Sequence, residues 1–267
     1  MRIFLAEWRK LRRPTFLLGS IGSAVFVTGL VTSVIFLLVN SPGGNGERGR
    51  RITKEMLQMS DGLSIGFRGS NSLLGLIALA TFASMMSQEY SFGTLRNLLV
   101  RQPRRVRLLL GKYFAMLSFA LCLVLISAGT GIAGAYLLAG RVDVATTAWS
   151  TSDARTVLLQ TIGNVLISTF GYGTIGMILG LFLRSPMASI SAGTGFLLVV
   201  ESILSLAWKP SAQWLPGNLL TIVASGGKNT SLDIALNYSQ ALTRICIYLV
   251  VAALLAVGVF KRRDVAN

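Results

Sequence analysis

Six apolar runs divide this chain, at about residues 16–39, 69–87, 113–138, 157–183, 187–207 and 242–260. A helix needs roughly 20 mainly apolar residues to cross ~30 Å of hydrocarbon, and inside lipid its backbone polar groups must be satisfied within the segment itself. Runs of that length leave no room for an independent soluble domain among 267 residues. Composition agrees: 52% of residues are apolar, 13% are charged and the mean hydropathy is +0.65, too little polar surface for a soluble protein. The expected fold is all-α, a single polytopic membrane domain over residues 1–267 with six transmembrane helices.

The placement of charge orients these helices, because cytoplasmic loops retain Lys and Arg. Fifteen of the 25 cations fall on one side when both termini share it: at Arg2 and within Arg9–Arg13, in the segment 87–112, at Arg184 and at Lys261–Arg263. That side is expected to be cytoplasmic, in the cell membrane. The first loop dissents, since Arg48, Arg50, Arg51 and Lys54 cluster on the opposite side. The +15 net charge does not suggest nucleic-acid binding, because the cations flank apolar spans instead of lining one soluble face.

Two basic stretches carry more detail. In the N-terminal one, Phe4, Leu5, Trp8 and Leu11 fall at i, i+1, i+4 and i+7 against Arg2, Arg9, Lys10, Arg12 and Arg13, the pattern of a helix lying at the membrane interface in contact with lipid; simple anchoring of topology would use the same cations. In the second, Ser87–Lys112, Gly93 interrupts the pattern and Thr94 is placed to cap a new short helix. Leu95, Leu98 and Leu99 share one face of that stub, Arg96 points elsewhere, and Pro103 ends it. The ridge could equally be buried in lipid or in a protein partner.

The run Glu89-Tyr90-Ser91-Phe92-Gly93-Thr94-Leu95-Arg96, then Pro103-Arg104-Arg105 and Gly111-Lys112, resembles the E-x-x-x-GT-L/R … P-x-R … K signature of ABC-2-type permeases, the membrane subunits of ABC exporters. The resemblance extends to Glu7, Lys10, Leu11 and Arg13 at the start, a Gly-rich fourth span, LFLRSP at Leu181–Pro186 and Trp-Leu-Pro at Trp214–Pro216. It implies a six-helix permease that binds no cofactor itself, paired with a second permease subunit as a homodimer or heterodimer. A separate ATP-binding-cassette ATPase subunit would hold ATP and Mg. Glu89, Gly93, Thr94, Leu95, Arg96, Leu98 and Leu99 would then form the coupling helix that docks on that ATPase. The cargo would be an amphipathic compound, peptide or lipid-like molecule. The sequence is compatible with a separate motor: Gly226-Gly227-Lys228 is followed by Asn229, which breaks a phosphate-binding loop at its hydroxyl position.

Other residues bear on alternatives. Glu201 is the one acid inside a predicted span, and a charge at such depth usually faces a cavity or a partner. It is a candidate for the translocation path, with Arg68 or Arg244 as possible partners; snorkelling to the interface would explain it too. Gly171, Gly173, Gly176 and Gly180, and likewise Gly129, Gly131 and Gly134, suggest close helix packing. Residues 219–224 are too short to span and suit a re-entrant or interfacial half-helix, or a loop on the membrane surface. The chain has no His, and Cys122 and Cys246 lie within spans as small apolar groups, so neither catalysis nor a metal site is expected. Two further functions stay open: an ATPase-coupled sensory or extraction module that does not translocate, and a stand-alone ion carrier using Glu201.

Overall fold

The computed structural model describes residues 2–39, 53–94, 105–227 and 236–262. Among them the protein is helical, without a strand. The helices are α1 (Arg2–Leu11), α2 (Pro14–Leu38), α3 (Lys54–Gln58), α4 (Gly62–Gly69), α5 (Asn71–Ser91), α6 (Arg105–Ala139), α7 (Ser152–Leu183), α8 (Pro186–Gly195), α9 (Glu201–Ala207), α10 (Pro216–Ala224) and α11 (Tyr238–Arg262). A π-helical turn, Phe196–Val200, joins α8 to α9, and short 3₁₀ turns precede α7 and α10.

Five helices or continuous helix runs are long and apolar enough to cross a membrane: Pro14–Leu38, Val106–Ala139, Ser152–Leu183, Pro186–Ala207 and Tyr238–Gly258. The expected span at 69–87 is instead a bent pair, α4 and α5, meeting at 41°. The bend falls at Ser70, whose buried hydroxyl donates to the Phe67 carbonyl at 2.7 Å and lies 3.2 Å from the Thr28 hydroxyl of α2. A side chain that bonds back into its own helix while contacting a neighbour is a recognised cause of a bend. The third expected span also starts early. Helix α6 begins at Arg105 instead of residue 113, so residues 105–112 of the basic segment are the first two turns of a 35-residue helix.

Glycine positions the centre of the bundle. Along α5 and α7 the close approaches pair Gly75 with Tyr172, Leu79 with Gly176 and Ala83 with Gly180, so the two helices run parallel and in register. A Cβ at Gly173 would sit 2.7 Å from the Phe82 ring, and one at Gly176 would overlap the Leu79 backbone. Larger residues would force the helices apart, as expected where helix association depends on close packing. In α6, Gly131 and Gly134 likewise admit Phe67 and Thr32, whereas Gly129 faces open space. Both cysteines are exposed on helix flanks and are not buried, because each falls on the outer side of its helix.

Candidate functional site

Two polar assemblies stand out in this apolar bundle, at opposite ends of the α5–α7 pair. The first gathers four charges from three helices. Glu7 lies at i+3 from Phe4 and i−4 from Leu11, on the buried face of α1, where its carboxylate is 3% exposed. Lys10 of the same helix donates to Glu7 Oε1 at 2.9 Å and to Glu89 Oε1, near the end of α5, at 2.7 Å. Lys112 of α6 lies 3.2 Å from Glu7 Oε2 and also donates to Glu89 Oε1. Two carboxylates and two ammonium groups balance, which allows Glu7, Glu89 and Lys112 to be almost wholly buried.

Lys10 is the partly exposed member. Burial would lower its pKa, but hydrogen bonds from its ammonium group to Glu89 and Glu7 outweigh that effect and raise it above 10.5. Aromatic packing fixes α1 over the node. Phe4 stacks on Trp8, and Trp8 meets Phe119 of α6 edge-on at 6.2 Å. Gly111 gives α1 room, since a Cβ there would stand 2.7 Å from Ile3.

This node grips both flanks of the basic segment. Helix α5 ends at Ser91, and Gly93 adopts φ +64, a left-handed conformation that glycine tolerates at a helix terminus. Thr94 donates its hydroxyl to the Glu89 carbonyl at 3.5 Å, a bond back toward α5 and not the forward cap expected from sequence. Nearby, Arg184, left-handed at the α7–α8 turn, lies over the Tyr90 ring at 5.3 Å, and its carbonyl accepts from Ser91 at 3.3 Å. The end of α5 therefore touches α1, α6 and the α7–α8 turn.

Of the expected docking residues, Glu89 belongs to this buried node. Its paired carboxylate is not presented to a partner, because α1 and α6 supply two ammonium groups that cover it. Gly93 and Thr94 mark the exposed turn beyond α5. Leu95, Arg96, Leu98 and Leu99 lie outside the described residues. Sequence reasoning missed Glu7 and Lys112 as site residues. The readable signal was Glu7 itself, an acid on the apolar face of an otherwise cationic helix, which requires a cation opposite.

The second assembly centres on Glu201, which is 3% exposed. Its Oε1 accepts from the Gly217 amide at 2.9 Å and its Oε2 from the Asn218 amide at 3.3 Å. Pro216 opens α10 without an N–H, so Gly217 and Asn218 offer the first free donors of that helix. A carboxylate there also meets the positive end of the helix dipole. Gly217 permits the approach, because a Cβ would lie 2.6 Å from Oε2. Asn218 ties the turn down by donating to Ser205 Oγ and the Ala212 carbonyl, both at 3.0 Å. The expected arginine partners are elsewhere: Arg68 is 3.9 Å from Asp61, and Arg244 stacks 4.2 Å from the Trp214 ring and donates to the Gln213 carbonyl.

Register along α7 fixes the course of α10. Tyr172 donates to the Gly217 carbonyl at 3.4 Å, Gly171 faces Leu220, and Gly226 approaches Asn164. Helix α10 thus runs antiparallel to α7, starting deep and returning toward the end of the bundle where α7 begins. Glu201 lies six residues before the end of α9, roughly 9 Å along the axis. Residues 208–227 therefore form a hairpin that dips into the bundle. Leu219, Leu220, Ile222 and Val223 are buried against α7 and α11, so the segment is a short helix packed into the bundle. The π turn Phe196–Val200 immediately precedes Glu201.

Comparison with known proteins places this chain in a family: residues 50–266 match the family described as "Protein of unknown function (DUF2705)", and the chain belongs to it. It is also similar to the Bacillus subtilis (strain 168) "Uncharacterized protein YhcI", with 26% identity over 215 residues, covering 73% of this chain and 66% of that relative. The chain thus spans slightly less than two thirds of that relative's length.

Proposed function

We propose that this DUF2705 protein is the permease subunit of an ATP-binding-cassette exporter, driven by a separate ATPase chain. Six spans, counting α4 and α5 as one, would place both termini and the basic segment in the cytoplasm, with α1 lying at the inner membrane interface. The observation that carries the reading is the four-charge node. Glu89 and Lys112 flank the basic segment and are bound to each other and to α1, so a push on that segment would move α1, α5 and α6 together. Contact with the α7–α8 turn would extend the movement to α7, which is locked in register with α5. Rocking of rigid helix groups is an established route to alternating access. ATP and Mg would be held by the motor, and a second permease chain would complete the path for an amphipathic compound, peptide or lipid-like cargo.

A second reading, extraction of a compound from the bilayer without translocation, draws on the flank of the bundle. An apolar cleft of about 290 Å³, lined by Leu109, Tyr113, Met177, Leu249 and Ala253 among others, lies between α6, α7 and α11. It suits a ligand arriving laterally from lipid. The ion-carrier reading is less favoured, because backbone amides already occupy both oxygens of Glu201.

The test is co-purification of the full chain with a candidate ATPase in nanodiscs, comparing wild type with Leu98→Asp. Loss of the ATPase from a variant that still inserts and unfolds at the wild-type temperature is the expected result. An ATPase that never associates with wild type would remove the exporter reading; one that stays bound to Leu98→Asp would move the docking surface away from the proposed stub.

A further inference from the structure

The groove between α1 and α6 has the polarity of a phospholipid. It encloses about 560 Å³ and is lined by Ile3, Phe4 and Leu5 from α1 and by Arg107, Leu110, Gly111 and Phe114 from α6. On α6, Arg107, Leu110, Gly111 and Phe114 fall at i, i+3, i+4 and i+7, one face of the helix. That face carries its cation near the start of the helix and its apolar groups over the next two turns, roughly 10 Å deeper. The Gly111–Ile3 contact forms the floor. Leu5, Leu110 and Phe114 are each about half exposed, leaving an apolar trough without a protein cover among the described residues. Arg107 is exposed and forms no ion pair among those residues.

We infer that this groove is a binding site for a phospholipid with an anionic headgroup, its phosphate on Arg107 and an acyl chain along Leu110 and Phe114 beneath α1. Charge complementarity selects the occupant. A neutral apolar ligand would use the trough but not the cation, and a soluble anion would use the cation but not the trough. The site lies beside the ionic node, so its lipid would bear on the seating of α1. The inference rests on α1 lying at the membrane interface and does not require the ATPase.

The test is native mass spectrometry of the full chain released from micelles, with phosphatidylglycerol and phosphatidylcholine of identical chains supplied in competition. Wild type is expected to retain the anionic lipid with roughly fivefold preference, the worth of one cation beside an anionic headgroup. Arg107→Gln should bring that preference near parity, Arg107→Lys should keep most of it, and Leu5→Trp, which fills the trough from the α1 side, should reduce retention of both lipids. If Arg107→Gln fails to insert, Arg107→Met, which also removes the cation, carries the same comparison. Equal retention of the two lipids by wild type overturns the inference, as does a preference that survives Arg107→Gln or a total retention that Leu5→Trp leaves unchanged. Because no ATPase is present, failure here leaves the exporter reading untouched.

Discussion

The two buried polar assemblies solve one electrostatic problem in different ways. At the end of α5, the Glu7 and Glu89 carboxylates are neutralised by Lys10, on the same helix as Glu7, and by Lys112 of α6. At Glu201, a single carboxylate is held by the amides that open a short helix. The first is an agreement among α1, α5 and α6 that exists only when all three are assembled. The second is made within residues 201–218, between neighbouring segments of chain. Glu89 and Gly75 are separated by fourteen residues of α5, roughly 21 Å, and Gly75 packs on Tyr172, which in turn bonds Gly217. Helix α5 therefore links the node shared by three helices to the hairpin that holds Glu201.

The largest expected effect comes from breaking the charge balance. Lys112→Met leaves two acids facing one cation in a buried site and should destabilise the protein by about 3–5 kcal/mol, the usual cost of orphaning a buried charge. Combining it with Glu89→Leu restores neutrality around the Glu7–Lys10 pair and should recover much of that loss. Thermal unfolding in nanodiscs completes the double-mutant cycle. Additive losses from the two substitutions would mean that the charges do not act as a unit.

Glu201→Gln sharpens the contrast. The amide side chain keeps one acceptor oxygen but turns an N–H₂ group toward a backbone N–H, so the expected cost is about 1–3 kcal/mol. The damage should be local. Hydrogen exchange is expected to quicken at Gly217 and Asn218 and through α10, while amides near Glu89 and Lys112 keep their wild-type protection. Uniform loss of protection across the bundle would show that the hairpin is not an independent element.

The difference between the assemblies also explains what the sequence could reveal. The long helices were legible because apolar length alone dictates them, and the glycines of α7 could be read as packing positions because lipid leaves few other uses for them. The bend between α4 and α5 was not legible: it depends on Ser70 meeting Thr28 across forty-two residues. The early start of α6 was obscured by its cations, which look like a loop until Lys112 is seen to face Glu89. Glu201 stands out in the sequence as an acid within a span, but its partners are the Gly217 and Asn218 backbone amides and not an arginine. Charge pairs leave a trace in residue type, whereas a carboxylate satisfied by the chain itself leaves none beyond Pro216-Gly217, a helix start with its first donor removed and its second left open.

The smallest effect separates the assemblies by pH. Lys10 has its folded pKa raised above 10.5 by Glu89 and Glu7, so its contribution is fully present below the unfolded value near 10.4 and is lost as pH rises through the folded value. Stability of wild type should therefore fall on the alkaline side of pH 10.5 more steeply than that of Lys10→Arg, whose guanidinium stays charged. The partial exposure of Lys10 keeps the difference modest, because solvent screens the pair. Exchange at Gly217, measured on the same samples and corrected for intrinsic alkaline rates, should not distinguish wild type from Lys10→Arg. Identical alkaline stability curves for the two proteins would mean that the Lys10 ammonium does not contribute to the node, leaving Lys112 as its effective cation.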